Sequence, residues 1–211
     1  MTKHLSEIAI GRHIKAIYSR TEIADNDAID SDLERLLIDN VFVVTMNFGG
    51  VDLNGSRSDP STYLNVYGDW YRKIMQQSFG NNLGRKRWQQ PISYAFIDFP
   101  GSRYKLRHKR DLSASLGLHD RTVRRDAQEY LNGELLHVHA IVALIPERGQ
   151  ACRSLIVNCK SSELFWKFGN IDVASFDPAQ GSLENMIAYC KKGSDQLGSQ
   201  IHSDCWQLFP R

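Results

Sequence analysis

Along the chain, continuous apolar runs alternate with segments whose apolar residues recur every three or four positions, so strands and helices are predicted in mixed order. Residues 32–39 (DLERLLID) predict a short helix. Residues 41–48 (VFVVTMNF) are β-branched and apolar, of strand length, and end at Gly49-Gly50. A loop rich in Gly, Ser, Asp and Pro runs from there to Ser61. Residues 63–79 (YLNVYGDWYRKIMQQSF) have helical spacing and meet a stop at Gly80-Asn81-Asn82. A second strand is predicted over 92–99 (ISYAFIDF), closed by Pro100-Gly101. The strongest strand signal is 135–145 (LLHVHAIVALI), between the turn-like Asn132-Gly133 and Pro146. Apolar residues at 155–157, an aromatic helix around Phe165 and Trp166, a strand near 171–176 and a helix over 182–192 follow. This order predicts an α+β domain on a central, largely antiparallel sheet flanked by helices. Residues 1–30 and 194–211 yield no element.

Composition narrows the class. With 211 residues, 42% hydrophobic and 24% charged, the chain suits one globular domain over 1–211, and disordered, collagen-like and coiled-coil readings drop out. No segment repeats, which removes solenoids. The N-terminal residues alternate charge with apolar side chains and contain no run fit for a signal peptide or a membrane span, so a soluble, cytoplasmic protein without a membrane partner is expected. Cys152, Cys159, Cys190 and Cys205 form no CxxC pair, and in a reducing compartment they read as small hydrophobes.

The net charge of +2 excludes a uniformly basic surface, yet the cations are concentrated. Arg103, Lys105, Arg107, Lys109, Arg110, Arg121, Arg124 and Arg125 face only Asp111 and Asp120 within 103–125, and Arg85, Lys86 and Arg87 lie beside Trp88. Such cations neutralise phosphates, and Trp88 and Tyr104 offer faces to unpaired bases; the plain alternative is a solvated surface. Residues 100–133 therefore read as a basic helical insertion. Within it, LSASLGLHDRTVRRDAQEYL (112–131) resembles the helix-turn-helix of bacterial repressors, with Gly117 at the turn, Asp120 as a cap, and Thr122, Arg124 and Arg125 directed at duplex DNA.

Two further patterns carry chemistry. His137-Val138-His139 places two imidazoles two residues apart in a strand, on one face, where they are either hydrogen-bonded core residues or two ligands of one metal ion. In the helix over 182–192, Leu183, Met186, Ile187 and Cys190 form the core stripe. At about 100° per residue, Tyr189 and Lys192 lie about 60° apart and off that stripe. A tyrosine so placed is either an amphipathic flank residue or a nucleophile with a cation one turn away.

Together, and in this order, the VFVVTMNF strand, the His137/His139 strand and the Tyr189-Cys190-Lys191-Lys192 helix resemble the three motifs of the HUH endonucleases. These are the rolling-circle replication initiators (Rep proteins) of plasmids and small single-stranded DNA viruses, with the related relaxases and transposases. The likeness spans residues 41–192, and AYCKKG is close to the wording of the third motif in some viral Rep proteins. It implies an RRM-like antiparallel core and a divalent metal, Mg²⁺ or Mn²⁺, held by His137, His139 and a third polar ligand. Asp98, the single charge of its strand, is the first choice for that ligand, with Glu134 and then Glu129 as alternatives. The metal would polarise a scissile phosphate for attack by Tyr189, leaving a 5′-phosphotyrosine that can be rejoined; Lys192, with Lys191 as its rival, would balance the charge.

A single motif tyrosine points to the Rep or transposase branch. The expected function is a single-stranded DNA nickase and strand transferase that initiates rolling-circle replication of a plasmid or phage. Single-stranded DNA or a hairpin origin would be its substrate, duplex DNA a further partner, and a host helicase would supply the unwinding that no ATPase motif here provides. A transposase with the same chemistry and a non-catalytic helix-turn-helix regulator are the alternatives. An amidohydrolase-type metal enzyme, whose HxH opens a long barrel, is disfavoured by an HxH at residue 137 of 211.

Overall fold

The computed structural model describes residues 6–18, 29–48, 60–98, 137–146, 149–196 and 206–210. In chain order the elements are α1 (Glu7–Tyr18), α2 (Ile29–Asn40), β1 (Val41–Asn47), α3 (Pro60–Phe79), β2 (Ile92–Asp98) and β3 (His137–Ala143). They are followed by α4 (Gln150–Val157), β4 (Asn170–Ser175), α5 (Leu183–Gln196) and β5 (Trp206–Phe209), with short 3-10 turns between them. The domain is α+β, and its five strands form one antiparallel sheet in the order β4-β1-β3-β2-β5. Thus β1-α3-β2 encloses β3, and β3-α4-β4 encloses β1: two split βαβ units interleave, and β5 pairs outside β2.

The alternation of side chains along each strand divides the interior into two layers. Phe42, Val44 and Met46 of β1, Ala95 and Ile97 of β2, and Val138, Ala140 and Val142 of β3 pack against Tyr67, Trp70 and Ile74 of α3 and Ile156 of α4. On the opposite face, Tyr94, Phe96, Ile141 and Ala143 meet Ile10 and Ile14 of α1, Leu37 of α2, and Leu183, Ile187 and Cys190 of α5. Every residue of β3 is buried, which is why its sequence reads as a continuous apolar run and not as an alternation. By the same parity Thr45, Asp98, His137 and His139 belong to the α5 side.

Several boundaries differ from expectation. The helix expected at 32–39 spans Ile29–Asn40, and the loop expected to reach Ser61 gives way at Pro60, whose fixed φ suits the first helical position. The central strand ends at Ala143 rather than 145; Leu144 instead donates its N–H to the Asn40 carbonyl. Residues 155–157 are the last turn of α4, the aromatic segment is a 3-10 turn over Glu163–Phe168, and α5 continues beyond Lys192 to Gln196. Cys152, Cys159 and Cys190 are free and buried. The 100–133 insertion, Cys205, Glu129, Glu134 and the cations from Arg103 to Arg125 lie outside the described residues. Among those described, no helix is long and apolar enough to cross a membrane.

Two elements were not anticipated, α1 and β5. Ile10, Ile14 and Tyr18 recur every fourth residue along α1 and are fully buried, so the helix docks on the sheet and on α5. The two helices come close at Gly11, where a Cβ would stand 2.9 Å from Glu184 Oε1, the end of the side chain that Lys15 holds. Two ion pairs fix the docking: Lys15 Nζ to Glu184 Oε1 at 2.9 Å, and Lys191 Nζ to Glu7 Oε1 at 2.7 Å. The second is the more consequential because the Lys191 side chain is 5% exposed and its charge must be compensated inside the protein. Glu7→Gln is expected to lower stability by about 1–3 kcal/mol, and Lys191→Met, which removes the buried charge itself, by less. Urea denaturation midpoints measure both, and an unchanged midpoint for Glu7→Gln would show that this pair does not fix α1.

Candidate metal centre

The sheet register assembles the site. β3 begins at His137, β2 ends at Asp98 and β1 ends at Asn47, so antiparallel pairing sets Asn47, His137 and Asp98 in one cross-strand row and Thr45, His139 and Phe96 in the next. Asp98 is fully buried, and its Oδ2 lies 3.4 Å from His137 Nε2 and 3.2 Å from His139 Nε2. The two Nε2 atoms are 2.9 Å apart, with the rings edge to face. One ligand atom from each of the three residues lies within 4.8 Å of the others, and this buried group could hold a metal ion.

The donors fit that role chemically. Two imidazole nitrogens and a carboxylate oxygen aimed at one point form a set suited to a divalent cation, with three protein ligands leaving coordination positions for solvent or substrate. Burial holds the His139 pKa below its ordinary value of 6.5, against the opposing pull of Asp98, and so favours the neutral ring that coordinates metals. His139 Nδ1, on the far side of the ring, lies 2.9 Å from Thr45 Oγ1.

Helix α5 brings the remaining groups. Its buried stripe of Leu183, Ile187 and Cys190, with Met186 partly buried beside it, seats the helix over the α5 face of the sheet. Tyr189, off the stripe, is 53% exposed, yet its ring lies 5.2 Å from the His139 ring, centroid to centroid. Lys192 Nζ stands 4.0 Å from the centroid of the Tyr189 ring and 3.2 Å from Asp98 Oδ2. Lys191, the rival lysine, turns instead into the contact with α1 and meets Glu7. Cys190, between Tyr189 and Lys191 in the chain, is buried, and its thiol is pushed up to about 12, first by burial and then by the Asp98 charge, so it stays protonated.

Of the residues singled out in the sequence, Asp98, His137, His139, Tyr189 and Lys192 converge here from three different elements. The cluster of Arg85, Lys86 and Arg87 does not: it precedes β2, at the end of that strand opposite Asp98, where Trp88 is 56% exposed. Thr45 was missed. The signal was available in principle, because Thr45 is the one hydroxyl residue in VFVVTMNF and sits two positions from Asn47, but its opposition to His139 needs the strand register. No protein-family profile, curated protein or solved structure matches the chain.

The depressed His139 value has a consequence for stability. An imidazole whose folded pKa is lowered takes up a proton more readily in the unfolded chain, so its contribution to stability is complete above about 6.5 and is lost as pH falls toward the folded value. The melting temperature is therefore expected to drop between about pH 7 and pH 5, and to drop less steeply in His139→Asn. Parallel slopes for the two proteins in thermal melts across that range would show that His139 does not contribute.

Proposed function

We propose that the protein is a metal-dependent, site-specific single-stranded DNA nickase and strand transferase of the HUH type, with Tyr189 as nucleophile, initiating rolling-circle replication of a plasmid or phage. The observation that carries this reading is the placement of an exposed tyrosine and a lysine, one helical turn apart, over a buried two-histidine, one-aspartate cluster. The interleaved βαββαβ topology with sheet order β4-β1-β3-β2 also supports it, since this is the order an RRM-like core requires.

His137, His139 and Asp98 would hold the metal, and Mg²⁺ or Mn²⁺ suits a site whose substrate is a phosphate. When bound, the ion supplies Lewis-acid polarisation of the scissile phosphodiester. The chain's own residues do the rest. Tyr189 attacks phosphorus: a bond from its phenolic oxygen to phosphorus forms, the bond from phosphorus to the 3′ oxygen breaks, and the leaving oxygen takes a proton to become a 3′-hydroxyl. The phenolic proton passes to water, which reaches the exposed ring. Because one phosphoester replaces another, the reverse attack by a 3′-hydroxyl rejoins the strand. Lys192, close to both Tyr189 and Asp98, is placed to offset the negative charge of the phosphate as it becomes attached to the tyrosine.

Labelled single-stranded DNA carrying the origin of the replicon that encodes the protein, incubated with Mn²⁺, is expected to yield a covalent protein adduct on a denaturing gel. Tyr189→Phe is expected to abolish the adduct, His137→Ala to reduce it by at least about 100-fold, and chelation of the metal to prevent it. An adduct that persists in Tyr189→Phe would overturn the assignment of the nucleophile.

A further inference from the structure

We infer that Thr45 is the positioning residue that fixes His139 as an Nε2 metal ligand; the inference rests on the metal-centre reading above. The two histidines of the cluster are held differently. His139 Nδ1 lies 2.9 Å from Thr45 Oγ1, whereas the buried Nδ1 of His137 has no hydrogen-bond partner among the described residues. A neutral imidazole carries one proton, and a metal bound at Nε2 requires that proton at Nδ1. Nδ1–H of His139 then donates to Thr45 Oγ1. In the other tautomer the proton is at Nε2, 3.2 Å from Asp98 Oδ2 and 2.9 Å from His137 Nε2, and the Thr45 hydroxyl donates to the bare Nδ1.

A hydroxyl serves both arrangements because it rotates and can donate or accept. A methyl in its place would satisfy neither, and the metal-bound form suffers more, since it must bury an N–H with no acceptor. The backbone makes the contact dependable. Thr45 and His139 are directly opposed in the β1–β3 ladder, in the interior of a sheet whose neighbours on both sides are paired, and the β-branch of threonine restricts its χ1. His137 occupies the next row, opposite Asn47, and its Nδ1 has no equivalent hydrogen bond among the described residues. Among the described residues, His139 is thus oriented at Nδ1 before any metal arrives, whereas His137 meets His139 and Asp98 through Nε2 alone.

The test is Mn²⁺ binding by isothermal titration calorimetry to the full chain and to Thr45→Val and Thr45→Ser, with nitrogen chemical shifts of the His139 ring in the metal-free proteins as a second readout. Valine keeps the shape and the β-branch, so the fold is retained, and circular dichroism checks that it is. Affinity is expected to fall about 10–100-fold in Thr45→Val and to stay within a few-fold in Thr45→Ser, the usual range for removing the partner that orients a ligating histidine. The ring shifts are expected to move in Thr45→Val and to be kept in Thr45→Ser. If Thr45→Val binds Mn²⁺ as wild type does, or leaves the His139 shifts in place, the positioning role is overturned while the metal centre stands. If the wild-type protein binds no Mn²⁺, the metal-centre reading is overturned, and the role of Thr45 with it.

Discussion

A carboxylate with no access to water must be surrounded by groups that compensate its charge, and in this protein the buried Asp98 imposes that requirement on everything near it. One oxygen of Asp98 faces two imidazoles and an ammonium, drawn from β3 and α5. The strand supplies the histidines by register alone, since His137 is opposite Asp98 and His139 follows on the same face. The lysine must come from a helix on the α5 side. Its arrival at Asp98 carries Tyr189 with it, one turn back and turned outward.

The placement of α5 is in turn a matter of packing and of two ion pairs. Ile187 and Cys190 are fully buried against the sheet, which fixes the rotation of the helix; Glu7 and Lys15 of α1 hold its Lys191 and Glu184. Consecutive lysines consequently have different tasks. Lys191 is a buried anchor to α1, while Lys192 reaches into the cluster, and about 100° of helical rotation separates them. A helix that carries a reactive group needs this kind of support, because a displacement of about 1 Å at the reacting atom is enough to impair catalysis.

The two faces of the sheet divide the work between stability and chemistry. The face toward α3 is closed by large aromatic and aliphatic side chains, Trp70 and Tyr67 among them, with three apolar residues each of β1 and β3 and two of β2 pointing into it. The α5 face is apolar at one end of the strands, around Ile141 and Ala143, and polar at the other, where Thr45, Asp98, His137 and His139 gather. Polar groups are tolerated there because they compensate one another near the ends of the three strands, beside the exposed Tyr189.

The central strands, the helix over 63–79, the parity that sends His137 and His139 to one side, and the displacement of Tyr189 from its helix stripe can all be read along the chain before it folds. All of these depend on local periodicity, which is complete within one element. The sequence also offered Asp98 for the site, because a lone charge in an apolar strand stands out. It did not reveal α1, whose apolar positions are spaced four apart among charged residues and make sense only against α5, or β5, whose four residues are too short for a periodic signal and are held by pairing with β2. Nor could it choose between Lys191 and Lys192 or connect Thr45 to His139. Those relations depend on which residues oppose one another across strands and on how a helix is rotated against a sheet, and such distances exist only once the chain is packed.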